Sequence, residues 1–339
     1  MRAVAYKASD SSDGAQVLTD IELPKPVPFG RDILVEVRAI SVNPVDIKVR
    51  KSVQPPQGEW KVLGWDATGV VVGTGPEVKR FRPGDEVFYA GDITRPGANS
   101  EFHLVDERIV GHKPKSLGWA EAAALPLTTI TAWEALFDRL EVRRAVPGAS
   151  GILIIGAAGG VGSIAVQLAR QLTDLTVIGT ASRPETRAWV EDLGAHHVLD
   201  HSQPLSEEVA KLGLAAPGFV LSTTHTVDHL PEIVALIAPQ GRLALIDNPQ
   251  SFDIVPLKSK SLSVHWEFMF ARSMFQTADI ERQGELLDEV ARLVDAGTLR
   301  TTLSEQLGPI TADNLTRAHA LVDSGKARGK IVLEGFGAA

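Results

Sequence analysis

Residues Gly151–Gly162 read GILIIGAAGGVG, and this stretch decides the fold. A short apolar run, Ile152–Ile155, enters a glycine-rich turn. Beyond the turn, apolar residues fall at Val161, Ile164, Ala165, Leu168, Ala169 and Leu172. That spacing keeps to one face of a helical period, so an amphipathic helix leaves the turn. Strand, glycine turn and helix together are the setting in which a glycine motif binds a dinucleotide. The motif is A-x-G-x-x-G, with Ala157 in the first glycine place. Gly159 lets backbone approach a pyrophosphate, and Gly162 lets helix and strand pack closely. Ala158, Gly160 and Val161 complete the turn, whose N–H groups and positive helix end face the phosphates. A purely structural turn is the plain alternative.

The next strand is expected at Leu175–Thr180. An NAD site usually carries an acid at the end of this strand, on the ribose 2′-OH. The chain instead reads Thr180-Ala181-Ser182-Arg183, with Arg187 a turn later. A 2′-phosphate is a dianion that suits a guanidinium and hydroxyl donors. NADPH (NADP+) is therefore the expected cofactor, with Thr180, Ser182, Arg183 and Arg187 near its ribose. The alternative for Arg183 is a solvated loop.

From 151 the pattern alternates strand and helix. Strands are expected at 151–155, 175–180, 196–199, 218–222, 241–247 and 261–265. This is an α/β arrangement, a doubly wound parallel sheet of Rossmann type. Thr223 follows its fourth strand and Ile246-Asp247 its fifth, where parallel-sheet loops meet ligand. Residues 1–115 read as β-rich, with strands at Ile33–Ile40, Gly69–Val72 and Glu86–Tyr89 and turns at Pro83-Gly84-Asp85 and Arg95-Pro96-Gly97. Helical patterns begin near Leu117 and run through Thr131–Leu140. The tail carries helices around Leu286–Ala296 and Ala312–Asp323 and a strand at Lys330–Glu334.

A length of 339 residues suits two domains. The 34 basic and 42 acidic residues give a net charge of −8, which argues against nucleic acid as a main partner. There are no cysteines, which excludes disulfides, thiolate metal ligands and a cysteine nucleophile. The opening MRAVAYKASD has no apolar signal core, and no membrane span is expected. The cytoplasm is the expected compartment. No G-x-S-x-G nucleophile turn appears. His196, His197 and His201 cluster, but in a strand-and-loop segment rather than on a helix, so no metal is assigned to them.

Several segments together resemble the medium-chain dehydrogenase/reductase superfamily. They are Ser41-Val42-Asn43-Pro44-Val45-Asp46, Gly64–Val71 (GWDATGVV), Arg82–Val87 (RPGDEV), Ala124–Thr128 (ALPLT), the AAGGVG turn and Gly325–Leu333 (GKARGKIVL). The likeness is strongest to the zinc-free quinone-oxidoreductase branch. SRPET at 182–186 and HWEFMF at 265–270 resemble a bacterial subgroup described as zinc-type alcohol dehydrogenase-like. The resemblance implies a GroES-like β-rich catalytic domain over 1–124 and 267–339, and a Rossmann domain over 125–266. It also implies a homodimer joined through the sixth strand, Ser261–His265. A bare edge strand invites such pairing.

In the zinc enzymes of the superfamily, a cysteine, a histidine and usually a second cysteine hold the catalytic metal. By motif, these places are Asn43, Trp65 and a position near Thr128. The neighbouring acid persists as Asp66. The structural zinc lobe would fall where this chain reads GDITRPGANSE, Gly91–Glu101. A tetrahedral zinc site needs thiolate or imidazole donors, so no metal is expected.

Without zinc to polarise an oxygen, the expected acceptor is already electrophilic, a quinone or an α,β-unsaturated carbonyl. The resemblance places Asn43 at the nicotinamide end of the cleft, as a donor to a developing oxyanion. Its alternative is a turn residue. Tyr89 is a candidate proton donor, and Asp46 a further catalytic or structural acid. Trp65, Trp266, Phe268 and Met269 are candidate pocket residues, with core packing as the alternative. Thr128 is implied to hold the nicotinamide carboxamide, and Lys330 to contact the cofactor. Two rival readings are a zinc-type alcohol dehydrogenase acting on alcohols or aldehydes, and a low-turnover NADPH-binding protein.

Overall fold

The computed structural model describes residues 1–8 and 16–337. Ser9-Asp10 of the opening stretch and the last two residues lie outside the described residues. The chain divides into two compact units, residues 1–127 with 270–339, and residues 128–269. The chain passes between them at 127/128 and 269/270, three residues later than the expected crossings at 124/125 and 266/267.

In the second unit, six parallel strands lie in one sheet. Their spatial order is His197–Leu199, Thr176–Thr180, Gly151–Ile155, Phe219–Ser222, Arg242–Leu245 and Ser263–Trp266. Numbered within the unit, this is 3-2-1-4-5-6, the doubly wound order whose switch point lies between the first and fourth strands. Every residue of Gly151–Ile155 is buried, as a strand covered on both faces requires. Leu153, Ile155, Ile178, Val220 and Leu243 pack with Ile233 and Leu236 of the helix Thr226–Leu236. Burying each such side chain contributes about 1.5–3 kcal/mol. The helix Gly160–Leu172 buries Ile164, Ala165, Leu168 and Ala169, the stripe read from the sequence.

The helical pattern before this sheet has a feature that the sequence does not announce. Pro126–Trp133 is an α-helix, but Glu134–Arg139 continues it as a π-helix. Leu140 N–H donates to the Ala135 carbonyl at 2.9 Å, closing the wider turn.

In the first unit, strand Asp32–Val42 organises a seven-stranded sheet. It pairs antiparallel with Ala67–Thr74, with Phe102–Asp106 and with Lys330–Glu334. A smaller sheet sets Arg2–Tyr6 between Thr19–Glu22 and Lys61–Val62. Among the described residues, no helix is long and apolar enough to cross a membrane.

The helix Ala312–Asp323 buries His319, and neither ring nitrogen has a hydrogen-bond partner. Burial lowers its pKa to about 4, with the nearby Arg50 acting in the same direction. Between the ordinary histidine pKa and that value, the unfolded chain takes up a proton that the folded chain refuses. Stability therefore falls as pH drops through this window. His319→Leu is expected to remove the loss, worth about 2 kcal/mol at pH 5. Unfolding curves at pH 5 and 7.5 would show a shallower pH dependence in the variant.

Candidate active site

In the first unit Asn43, one of the expected metal places, and Asp66, the neighbouring acid, join a buried polar network. Asn43 precedes Pro44 and begins the helix Pro44–Ser52. Its backbone N–H donates to Asp46 Oδ2 at 2.8 Å, and Gly64 N–H donates to Asp46 Oδ1 at 3.0 Å. Asp46 thus fastens the helix start to the Gly64–Asp66 segment. Burial raises its pKa to about 7, against those two donors and the nearby Lys330. Asp46 is 1% exposed and both of its carboxyl oxygens are engaged, so its place is structural.

Asp66 is fully buried, and four donors converge on it. Leu127 N–H reaches Oδ1 at 2.9 Å, while Ser41 Oγ and Asn43 Nδ2 reach Oδ2 at 2.8 and 3.0 Å. Lys330 Nζ stands 3.2 Å from the same Oδ2. The ammonium also donates to the Val42 carbonyl at 2.8 Å and to Asn43 Oδ1. Burial lowers the Lys330 pKa, and Asp66 opposes that shift most strongly. Burial likewise raises the Asp66 pKa, with Lys330 the main opposing charge.

Two expectations change here. Asn43 spends its amide N–H groups on Asp66 and on the Ser41 carbonyl and its oxygen on Lys330, so no donor is left for a substrate oxygen. Lys330 sits inside the β-rich unit, 3% exposed, with its ammonium surrounded by three acceptors rather than turned to a cofactor. Both depend on contacts between residues remote in sequence, which local motif reading does not supply.

This donor set does not fit zinc. It offers a carboxamide, an indole and a carboxylate already neutralised by an ammonium, in place of thiolates and imidazole. A divalent cation beside Lys330 would also meet like charge. Among the described residues, no group of three His, Cys, Asp or Glu is placed to hold a metal ion.

Trp65 is buried, and its Nε1 donates to the Asp92 carbonyl at 3.2 Å. Phe270 meets it edge to face, with ring centres 6.2 Å apart. Tyr89 is fully buried, stacks on His103 and shares a hydrogen bond of 3.1 Å with His103 Nδ1. Burial pushes its phenol pKa well up, so it is a poor acid. A phenol enclosed in this way has no route to a product oxygen, and the proton-donor reading of Tyr89 is set aside. Strand alternation could not reveal this, because Val87, Phe88 and Tyr89 are all buried.

The second unit assembles the glycine turn at the carboxyl end of its first strand. Gly156, not the motif's first position at Ala157, takes the left-handed conformation, with φ +75°. A side chain there would collide with Thr223 Oγ1. A Cβ on Gly162 would strike the Gly156 carbonyl oxygen and lie 2.6 Å from Ala157 Cα. Gly159 differs: its nearest neighbour would be 3.5 Å away, so that face is open. Gly159 caps the helix Gly160–Leu172, and Ala158–Val161 are half-buried. The N–H groups of the first helical turn have no intrahelical acceptors. The cradle therefore fits a pyrophosphate.

Around it, Thr180 Oγ1 accepts from Gly156 N–H at 3.1 Å, and Thr223 Oγ1 donates to the Ile155 carbonyl at 2.8 Å. Asp247 caps the helix Thr226–Leu236, accepting from Thr226 N–H at 2.9 Å and Thr226 Oγ1 at 2.6 Å. Ile246 N–H donates to the Ser222 carbonyl at 3.3 Å. The ends of the first, second, fourth and fifth strands are thereby tied together at the carboxyl edge of the sheet. Ser182 is exposed, and the Arg183 side chain is 40% exposed beside Glu185. Arg187 is committed elsewhere, donating to the Ala181 and Val198 carbonyls at 3.3 and 2.7 Å. It braces two strand ends instead of facing a phosphate. Thr128 is buried on the helix Pro126–Trp133. Trp266 and Phe268 are half-exposed, whereas Met269 is buried.

Residues 30–133 match the alcohol dehydrogenase GroES-like domain family, and residues 193–333 match the zinc-binding dehydrogenase family. A zinc-type alcohol dehydrogenase-like protein of Staphylococcus aureus is 37% identical over 98% of this chain and 99% of its own length. A Rhizobium etli crystal structure, provisionally described as a zinc-dependent alcohol dehydrogenase, is 66% identical. It covers 100% of this chain and 99% of its own, with a TM-score of 0.96. A quinone oxidoreductase structure from Pseudomonas syringae is 26% identical, covers 98% of this chain and 99% of its own, and has a TM-score of 0.81.

Proposed function

The chain belongs to the medium-chain dehydrogenase/reductase superfamily of oxidoreductases, and within it we propose a zinc-free, NADPH-dependent reductase of quinones or α,β-unsaturated carbonyls. The observation that carries this reading is Lys330 on Asp66 at 3.2 Å, where the zinc enzymes keep their metal shell. An ammonium in that shell disfavours Lewis-acid activation of a simple alcohol. Acceptors whose conjugation spreads negative charge onto oxygen need no metal for it.

When bound, NADPH supplies a hydride to the quinone or to the β-carbon of the unsaturated carbonyl. Water then balances the charge with a proton, since Tyr89 is enclosed. The glycine cradle holds the pyrophosphate, and Ser182 with Arg183 receive the 2′-phosphate. Trp266 and Phe268 offer apolar surface to the acceptor and exclude water there. Asn43 and Asp46 act as positioning residues. The exposed sheet edge at Ser263–Trp266 and the exposed Ile254 and Val255 support a homodimer joined through that edge.

The test is NADPH oxidation by chelator-treated protein against an ortho-quinone, a para-quinone, an enal, an enone and a saturated aldehyde, with metal content measured on the same sample. Turnover of a quinone or enone without zinc supports the proposal. Activity confined to the saturated aldehyde and lost on chelation would restore the zinc alcohol dehydrogenase. NADPH binding without turnover would favour the low-turnover protein.

Cofactor choice has its own test. Arg183→Ala is expected to weaken NADPH binding by about 10- to 100-fold, the worth of a charge-assisted hydrogen bond, while leaving NADH binding unchanged. Fluorescence titration with both nucleotides measures it. Equal weakening of both would place Arg183 away from the 2′-phosphate.

A further inference from the structure

Beside the sixth strand of the Rossmann unit, two carboxyl groups meet out of water. Glu134 is 1% exposed and Glu267 is 3% exposed. Glu267 Oε2 accepts from Arg139 Nε at 2.9 Å. Its other oxygen, Oε1, is buried and meets no N–H or O–H donor. The carboxyl of Glu134 is in hydrogen-bonding contact with that of Glu267. Two carboxyl oxygens in such contact repel each other unless one carries a proton.

The π-helix creates this encounter. Residues five apart on an α-helix point about 140° away from each other. In the π-turn Glu134–Arg139 they stack along one side, so Glu134 and Arg139 both reach Glu267. The charge count is also specific. Two ionised carboxylates and one guanidinium leave a net negative charge in a dry site, whereas one retained proton makes the cluster neutral. Burial raises the pKa of Glu267, the Glu134 charge raises it further, and Arg139 opposes both. The remaining titratable group on the strand is His265, which faces Arg139, Arg242 and Glu141. Asp138 lies beside Arg139 on the π-turn.

The sequence around Glu267 shows what the cluster holds. Trp266 and Phe268 are 50% and 49% exposed, with Glu267 anchored inward between them. Fixing Glu267 fixes the direction in which both aromatic rings leave the chain. We propose that Glu134 and Glu267 share one proton, and that this pair, clasped by Arg139, is the positioning element for the acceptor-lining segment Trp266–Met269. The positioning role rests on the pocket reading above, whereas the shared proton does not.

The test uses the full-length protein, Glu267→Gln and Glu134→Gln. Glutamine keeps the shape and donates permanently to the opposite carboxyl. Infrared titration follows the protonated-carboxyl band, hydrogen exchange follows residues 262–270, and the acceptor KM is measured against pH with NADPH affinity as control. The wild type is expected to show the band at neutral pH and to lose it on the alkaline side. Exchange of 262–270 then quickens, and acceptor KM rises by about threefold or more while NADPH affinity holds. Both variants lack the band and keep exchange and KM flat with pH. A wild type without the band at neutral pH would overturn the proposal, as would variants with the same alkaline rise. If no acceptor is reduced at all, the functional reading fails, and the band and exchange data still decide the shared proton.

Discussion

Replacing Lys330 with methionine is expected to lower unfolding stability by about 3–5 kcal/mol at neutral pH, the usual consequence of stranding one partner of a buried ion pair. Lys330 and Asp66 are 3% and 0% exposed, so water cannot take over the missing charge. Asp66 would keep its three other donors, from Ser41, Asn43 and Leu127, but carry a negative charge that nothing neutralises. Adding Asp66→Asn to Lys330→Met removes that charge. The double variant is expected to lose clearly less than the sum of the two single losses, with a coupling of about 2 kcal/mol. Denaturant unfolding of the four proteins gives the cycle directly. Additive losses would mean that the two side chains are neighbours without being partners. The same variants examine the argument against zinc. If Lys330→Met takes up no zinc, the donor set is inadequate by itself. Stoichiometric uptake would show that the ammonium was the obstacle.

The legible part of this protein is the part written locally. Ile152–Ile155, the glycine turn and the apolar spacing from Val161 to Leu172 report a strand, a turn and a helix over some twenty residues. Each signal depends only on neighbours in the chain. The polar network was not legible for the converse reason. Asn43 and Lys330 bond across 287 positions of sequence. A motif names both residues but says nothing of whether they face each other or a ligand. Gly156 shows a finer limit. The motif begins at Ala157, yet the left-handed position is the glycine before it, and a side chain there would meet Thr223, which follows the strand that pairs beside it. The π-turn at Glu134–Arg139 was hidden in a helical pattern, because apolar spacing over one short helix does not separate a wider turn from an ordinary one. Arg187 is a related case, since a basic residue after the second strand suits a phosphate or a carbonyl equally well.

Two glycines of one turn are expected to fail in opposite ways when each is replaced by alanine. At Gly162 the added Cβ would meet backbone on its packed side, the Gly156 carbonyl oxygen and Ala157 Cα at 2.6 Å. Neither is the tip of a flexible side chain, so the helix Gly160–Leu172 must shift away from the strand it covers. Overpacking of this kind costs about 1–3 kcal/mol, and more where backbone meets backbone. Gly162→Ala should therefore show a lowered denaturation midpoint before any nucleotide is added, together with weakened NADPH binding. At Gly159 the Cβ finds its nearest neighbour at 3.5 Å, and the residue does not use a left-handed conformation. Gly159→Ala should fold with stability within about 0.5 kcal/mol of the wild type. Its methyl group would instead occupy the open face over which a pyrophosphate must approach, weakening NADPH by about tenfold or more, or about 1.4 kcal/mol. Denaturation and nucleotide titration of both variants separate a glycine kept for packing from a glycine kept for a ligand. If Gly159→Ala bound NADPH like the wild type, that face would not be the phosphate cradle. The turn would then be structural, and the NADPH assignment would stand on Ser182 and Arg183 alone.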